Sequence, residues 1–271
     1  MMIPETMHSS HSARASRRAF FGASALLFAV SAAVTIACCA SMSAMGGMAM
    51  PGGWTMSMAW MRMPGQSWSA AAASFIGMWV AMMVAMMLPS LVPMLLRYRE
   101  AVGGAGETHL GRLTALVGAA YFIVWTVFGI AAFPLGAALA AIEMRLSALA
   151  RAVPIGVGVV VSLAGALQFT AWKARHLACC RAAPERGRKL PADGATAWRH
   201  GMRLGLHCSH CCAGLTAMLL VIGVMDLRAM AVVTVANTLE RLAPAGERVA
   251  QGIGAVTIAA GLFLIARATG L

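Results

Sequence analysis

The chain has 271 residues, of which 60% are hydrophobic and only 11% are charged, and its mean hydropathy is +0.78. Soluble domains average about 45–50% apolar and about 25% charged residues, so the composition excludes an ordinary soluble protein and predicts an all-α, polytopic transmembrane helix bundle. The net charge of +12 does not indicate a nucleic-acid-binding protein. The basic residues cluster in short segments between apolar runs, which is typical of topology signals and of contacts with membrane lipids.

The first predicted elements are a polar tail, residues 1–18, and an apolar run over about 20–40. The tail ends in Arg14, Arg17 and Arg18, and this positive charge predicts that it is cytoplasmic. The apolar run is long enough to cross a bilayer, although a cleaved signal has a similar pattern. We expect residues 19–271 to form one transmembrane helical domain.

A methionine-rich segment, residues 41–67, follows and is predicted to be an irregular outer loop, because it contains many Gly and Pro residues and almost no charge. The second span covers about 68–96, and Pro89 and Pro93 should kink its end. Within it Met78, Met82 and Met86 repeat every four residues, which places their thioethers on one helix face. Methionine is most often flexible packing, but a thioether also favours Cu(I).

The remaining spans are predicted over about 113–138, 153–172, 205–225 and 250–266. A basic inner loop, residues 173–204, precedes the span that begins at 205. A shorter apolar stretch, 230–239, either crosses the membrane or only enters it, so the bundle has six or seven spans. The alternation of basic segments predicts a bacterial inner-membrane protein whose N-terminus is cytoplasmic.

Sulfur and imidazole side chains are concentrated in two segments that this topology places at the inner face. Cys208, Cys211 and Cys212 lie at i, i+3 and i+4, and share a face if the fifth span is helical from its start. One helical turn cannot surround a metal ion alone, so a second segment must supply ligands. Thiolate favours Cu(I), with Zn(II) as an alternative, whereas disulfide exchange and simple packing remain open. The further candidate ligands are His176, Cys179, Cys180, His207 and His210.

Acidic residues near the apolar stretches are few. Asp226 and Glu240 have Arg228 and Arg241 close by, so we expect simple charge pairing. The sequence shows no nucleotide-binding loop, nucleophile–base arrangement or paired catalytic carboxylates, and it does not indicate an enzyme.

Three ordered motifs carry a family resemblance. They are "GMWVAMMVAMMLPSLVPML" (77–95), "KARHLACCR" (173–181) and "GLHCSHCCAGLTAMLLVIGVMDLRAMAVVTVANTLER" (205–241). The chain resembles a family of bacterial metal-binding integral membrane proteins of unknown function, some of which are called copper chaperones. The third motif matches the family's Cys-x-x-Cys-Cys and its Glu–Arg pair at 240–241, and Cys180 matches in the second. His176 stands where that family usually has cysteine, and Ala213 where tryptophan is common. The resemblance implies a metal-binding membrane protein.

These observations lead to three hypotheses. The first is a protein that handles Cu(I) through the Cys/His cluster and a methionine stripe, together with a copper-donating or copper-receiving partner. The second is a membrane thiol–disulfide oxidoreductase that uses Cys208 and Cys211. The third is a non-catalytic subunit of a larger membrane assembly.

Overall fold

A computed structural model describes residues 5–103, 106–182, 184 and 189–270, with side chains from residue 14 onward. Residues 1–4 of the predicted tail, and Arg186 and Arg188 of the predicted basic loop, lie outside this part. The elements in chain order are α1 (Glu5–Ala44), β1 (Met48–Met50), β2 (Trp54–Met56), a 3-10 turn (Met58–Trp60), α2 (Trp68–Val102), α3 (Glu107–Arg145), α4 (Ser147–Leu167), α5 (Ala171–Ala182), α6 (Gly194–Gly223), α7 (Leu227–Leu242) and α8 (Gly246–Thr269). The prediction of an all-α bundle is confirmed.

In the described part of the chain, six helices are long and apolar enough to cross a membrane: α1 from Arg14, α2, α3, α4, α6 and α8. Their outward faces carry large apolar side chains on α1, α3, α4 and α8, whereas α2 is the most enclosed of the six. A surface of this kind is suited to lipid. The composition of these helices therefore supports a multi-pass membrane protein.

Helix α7 is shorter, with 16 residues. At 1.5 Å per residue it measures about 24 Å, less than the roughly 30 Å of a bilayer's hydrocarbon core. Its two ends nevertheless adjoin distant parts of the bundle. Met225, two residues before α7, contacts Cys39 at the end of α1, whereas Arg241 near its end contacts Cys208 in α6. Because 17 residues of nearly continuous helix separate Cys208 from Met225, α7 runs back beside α6 over a depth of roughly 25 Å.

Glycine pairs hold α4 against α8. A Cβ atom on Gly165 would lie 2.7 Å from the carbonyl oxygen of Gly254, and one on Gly254 would lie 2.8 Å from the carbonyl of Gly165. Seven residues along, Gly158 and Gly261 repeat the arrangement at 2.9 and 2.7 Å. Small residues let helix backbones approach this closely in membranes, where apolar burial supplies little force between helices.

Helices α3 and α6 approach each other in a similar way. A Cβ atom on Gly205 would lie 3.0 Å from the carbonyl oxygen of Tyr121, and one on Gly201 would overlap the backbone of Val117. These two glycines stand four residues apart on one face of α6. They bring α3 close enough for the Tyr121 side chain to reach the cysteines of α6.

The methionine-rich segment is not irregular throughout. Met48 pairs with Met56, and Met50 pairs with Trp54, in a small antiparallel hairpin. Met50 and Met56 are buried against the α3–α4 corner, and the Trp54 indole donates to the carbonyl of Ala150 at 2.8 Å. The expectation of a loop without regular structure was therefore wrong for residues 48–60, because paired backbone and a tryptophan anchor stabilise them.

Two predicted boundaries also differ from the structure. Helix α2 continues through Pro89 and Pro93 to Val102, beyond the predicted end of its span. The basic segment contains α5, and α6 begins at Gly194 rather than at residue 205. Asp193 caps α6 by accepting from the backbone N–H of Thr196 at 2.8 Å.

Candidate metal centre

Four of the predicted cysteines meet inside the bundle. Helix α5 contributes Cys180, whose sulfur lies 3.6 Å from that of Cys211 on α6, and Cys211 lies 3.7 Å from Cys212. Cys208 lies one turn before Cys212 on the same helix. The four side chains are 0–2% exposed, and all seven cysteines of the chain are free thiols. The hydrogen bond with Cys211, and then burial, hold the pKa of Cys180 well above its usual value, which favours the neutral thiol.

A guanidinium group lies among these sulfurs. The Nη2 atom of Arg241 is 2.6 Å from Cys208, 3.2 Å from Cys212 and 3.4 Å from Cys211. Its Nη1 atom donates to the hydroxyl of Ser90 on α2 at 2.9 Å. Arg241 is 4% exposed, so the positive charge is buried and its nearest electron-rich partners are sulfur atoms.

Within the described residues, no three or more His, Cys, Asp or Glu side chains form a group already arranged to hold a metal ion. The position of Arg241 gives a physical reason for this result. Its Nη2 atom fills the space between three sulfurs that a bound cation would need. The thiols are close together, but a metal ion would have to displace this guanidinium or enter beside it.

A buried ion pair supports the cluster from α5 and α7. The ammonium of Lys173 lies 2.6 Å from a carboxylate oxygen of Glu240, and the two side chains are 4% and 2% exposed. Lys173 also donates to the backbone carbonyl of Cys211, and Gln168 donates to the other Glu240 oxygen at 3.0 Å. Burial raises the pKa of Glu240, although Lys173 opposes this effect. The network fixes the backbone at Cys211.

This network corrects the predicted charge pairing. Glu240 pairs with Lys173 from a distant segment, whereas its neighbour Arg241 turns to the sulfurs. Consecutive helical residues point about 100° apart, so they seldom face one partner. Asp226 accepts from the backbone N–H groups of Arg228 and Ala229 and caps α7, rather than pairing with the Arg228 guanidinium.

Two further residues connect the cluster with α2 and α3. The Tyr121 hydroxyl lies 2.8 Å from the sulfur of Cys208. Ser90, which holds Arg241, stands four residues after Met86 and therefore continues the face formed by Met78, Met82 and Met86. Those three methionines are 0–9% exposed. The predicted stripe thus leads along α2 toward the residue that holds the arginine.

The predicted histidines form a separate group beside the cysteines. The Nδ1 atoms of His176 and His207 are 3.3 Å apart, and the ring of His176 stacks on His210 at 4.8 Å. Trp172 packs edge-on against His176 and His210. Burial, and then the neighbouring His210 and His207, lower the pKa of His176. Cys179 is exposed and belongs to neither group.

The sequence did not predict that Arg241, Tyr121 and Lys173 contact the cysteine cluster. A signal existed for Arg241 and Lys173, because a charged residue beside an apolar stretch needs a partner. Tyr121 gave none beyond being one of only two tyrosines in the chain.

The model of a family described as copper chaperone, PpoB2, matches residues 76–264, about 70% of the chain. That range contains all four clustered cysteines, Arg241 and the methionine stripe. No curated protein matches the chain, and no solved structure does.

Proposed function

Because the chain belongs to the PpoB2 copper chaperone family, we propose that it is a membrane protein that binds Cu(I) as cargo and delivers it to a partner protein. The proposed ligands are Cys180, Cys208, Cys211 and Cys212. One observation carries this assignment: Cys180, from a separate helix, lies 3.6 Å from Cys211 in the Cys-x-x-Cys-Cys motif. A shared site requires such a meeting, which random packing of two distant segments would rarely produce.

The spacing of the sulfurs suits a bound soft ion. Two sulfurs at about 2.3 Å from a metal and at a tetrahedral angle lie about 3.8 Å apart. The Cys180–Cys211 and Cys211–Cys212 distances, 3.6 and 3.7 Å, are close to that value. Thiolates favour Cu(I) and Zn(II) over harder ions, and the buried thioethers on α2 favour Cu(I) between these two.

Arg241 would stabilise the site electrostatically. When Cu(I) binds several thiols as thiolates, the complex carries net negative charge, which is costly to bury without a counter-ion. A guanidinium within hydrogen-bond distance of three sulfurs supplies that counter-ion. The Tyr121 hydroxyl supplies a further donor at 2.8 Å from Cys208.

Met78, Met82 and Met86 would pass the ion along α2 to the cysteines. A thioether binds Cu(I) without deprotonation, and stronger thiolate ligands at the end of the stripe would draw the ion onward. His176, His207 and His210 would lie on the path by which the ion leaves toward a receiving protein, while Cys179 serves no ligand role.

The proposed location is a bacterial inner membrane with the N-terminus in the cytoplasm. Arg97 and Arg99 at the end of α2 and Arg112 at the start of α3 lie at the same end of the bundle as the tail of α1, since Arg99 donates to Ser16 at 2.7 Å. Arginine at one end predicts the cytoplasmic face. The buried four-cysteine cluster would then lie nearer the cytoplasmic end, since Arg97 donates to the backbone carbonyl of Arg181, the residue after Cys180.

Disulfide exchange is less well supported as the alternative. An attacking thiolate must approach a cysteine sulfur directly, yet the four sulfurs belong to side chains that are at most 2% exposed. A count of free thiols in the purified protein tests this point. Four reduced cluster thiols after isolation in air, and no trapped mixed disulfide, are the expected result.

The decisive experiment measures copper and zinc in the detergent-purified protein after anaerobic incubation with Cu(I). The wild type should hold copper, and Cys211→Ser should lose the copper bound at the cluster, because this sulfur contacts two others. Cys179→Ser is the matched control, since it removes the adjacent exposed thiol on α5. Equal copper in wild type and Cys211→Ser would end the proposal, and zinc in place of copper would correct the metal.

The stripe requires its own variant. Replacing Met78, Met82 and Met86 together with leucine preserves packing and should slow copper loading of the cluster while leaving the final copper content unchanged. Replacing Met144 and Met202, which lie outside the stripe, is the control. An unchanged loading rate would remove the stripe from the mechanism.

A further inference from the structure

A second pair of sulfur atoms lies far from the four-cysteine cluster. The thiol of Cys39, at the end of α1, lies 3.9 Å from the thioether sulfur of Met225, just beyond the end of α6. Cys39 is only 1% exposed, although it lies five residues before the end of α1 at Ala44. Met225 is 13 residues after Cys212, which corresponds to about 20 Å along a helix. The two sulfur groups therefore occupy opposite ends of the same bundle.

The separation of this pair matches trigonal coordination. Two sulfurs at about 2.3 Å from one ion and at 120° lie about 4.0 Å apart. The pair therefore offers two of three ligand positions with little movement. One thiolate and one thioether give a site with a single negative charge, which a monovalent soft cation neutralises.

A third ligand would have to come from the cavity that the pair adjoins. A cavity of about 360 Å³ adjoins the pair and is lined by Cys39, Met225, Asp226 and Arg228, together with Ala40, Ser43 and Leu227. A carrier or a donor protein's side chain could enter there, complete the coordination and leave after the exchange. The cavity wall holds one acidic and one basic residue, Asp226 and Arg228, and in the described contacts the Asp226 carboxylate accepts only from backbone N–H groups.

From this geometry we propose that Cys39 and Met225 form a second Cu(I) site, at which the ion enters the bundle. The inference rests on the proposed function, because the ion would continue along α2 to the four cysteines. With this second site, Cu(I) would pass through the bundle from one end to the other before it is delivered.

Helix α7, which links the two ends of the bundle, carries a buried polar group. Asn237 on α7 is 0% exposed, and within the part of the chain that the structure describes neither its amide oxygen nor its nitrogen has a hydrogen-bond partner. It lies one turn before Arg241, on the same face of the helix that links the two sites. A buried amide left unpaired is costly, so this position is suited to a water molecule.

The test uses the full-length protein in detergent and titrates it anaerobically with Cu(I) against a competing chelator. The starting variant replaces all four cluster cysteines with serine. We expect two bound Cu(I) ions in the wild type and one in this variant. Adding Met225→Leu or Cys39→Ser should weaken the remaining ion at least tenfold, whereas adding Cys38→Ser should not.

Failure of each proposal gives a different result. The second site is wrong if the four-serine variant binds no Cu(I) although the wild type does. It is also wrong if Met225→Leu and Cys39→Ser leave the affinity for the remaining Cu(I) ion unchanged. If the four-serine variant binds as much Cu(I) as the wild type, the four-cysteine cluster is wrong. Should that variant not fold, Met225→Leu in the wild type decides: a fall from two ions to one supports the site, and no change refutes it. Met202→Leu, on α6, is the control.

Discussion

The buried Lys173–Glu240 pair gives the most quantitative prediction. Glu240→Gln keeps the shape and the acceptor oxygen but leaves the Lys173 ammonium without its counter-charge in a site where the two side chains are 4% and 2% exposed. At 2.6 Å the pair's Coulomb energy is about 6 kcal/mol for an effective dielectric constant of about 20. Breaking one partner of a buried pair typically costs about 3–5 kcal/mol, a large share of the roughly 5–15 kcal/mol that stabilises a domain.

The assay is unfolding in mixed micelles with increasing SDS, followed by tryptophan fluorescence, and the expected loss for Glu240→Gln is about 3–5 kcal/mol. Glu247→Gln, at an exposed position, is the control and should change little. Replacing both partners, Lys173→Met with Glu240→Leu, should restore most of the stability, because apolar side chains can replace a buried ion pair at little net cost. A loss below about 1 kcal/mol for Glu240→Gln would refute the reasoning, since it would place water or another charge beside Lys173.

Three other predictions concern the cluster, the packing and the orientation. Tyr121→Phe removes the hydroxyl beside Cys208, whose sulfur keeps Arg241 as a partner, and should lower stability by about 0.5–1.5 kcal/mol in the same unfolding assay; a neutral result would mean that the hydrogen bond contributes nothing. Gly254→Leu should prevent α4 from packing on α8 and abolish a folded, monodisperse protein in gel filtration, whereas Gly252→Leu, whose Cβ would meet nothing within 4 Å, should be tolerated. Cys179, the exposed cluster neighbour, should react with an impermeant maleimide in inverted but not in right-side-out vesicles, and the opposite labelling would reverse the orientation.

Composition and the length of the apolar runs determined the fold class, because runs of about 20 apolar residues are long enough to cross a bilayer as helices, which satisfy their backbone internally. Element boundaries were harder to predict. Sequence patterns ended the second span near residue 96, whereas α2 continues to Val102, since Tyr98 and Val102 are packed inside the bundle. The hairpin at Met48–Met56 could not be predicted, because its stability comes from contacts with α3 and α4 rather than from local sequence.

The spacing of the cysteines along the sequence predicted only part of the candidate site. Helical periodicity placed Cys208, Cys211 and Cys212 on one face, and the resemblance added Cys180. Periodicity could not reveal that Arg241 would lie among the sulfurs, because that depends on how far α7 returns beside α6. It also could not separate the histidines from the cysteines. His207 and Cys208 are neighbours in sequence, yet their side chains belong to different groups.

Because of the Arg241 guanidinium, a metal ion enters a cluster that already contains a positive charge. A bound ion would need part of the space between the sulfurs, while the guanidinium would stay close to them as the counter-ion. Arg241 must therefore shift when the ion binds, and it lies on α7 next to Glu240, which is held by Lys173. Occupancy should therefore be transmitted to the position of α7, and amide hydrogen exchange in Leu227–Leu242 should change on copper binding; identical exchange with and without copper would show that the helix is indifferent to its cargo.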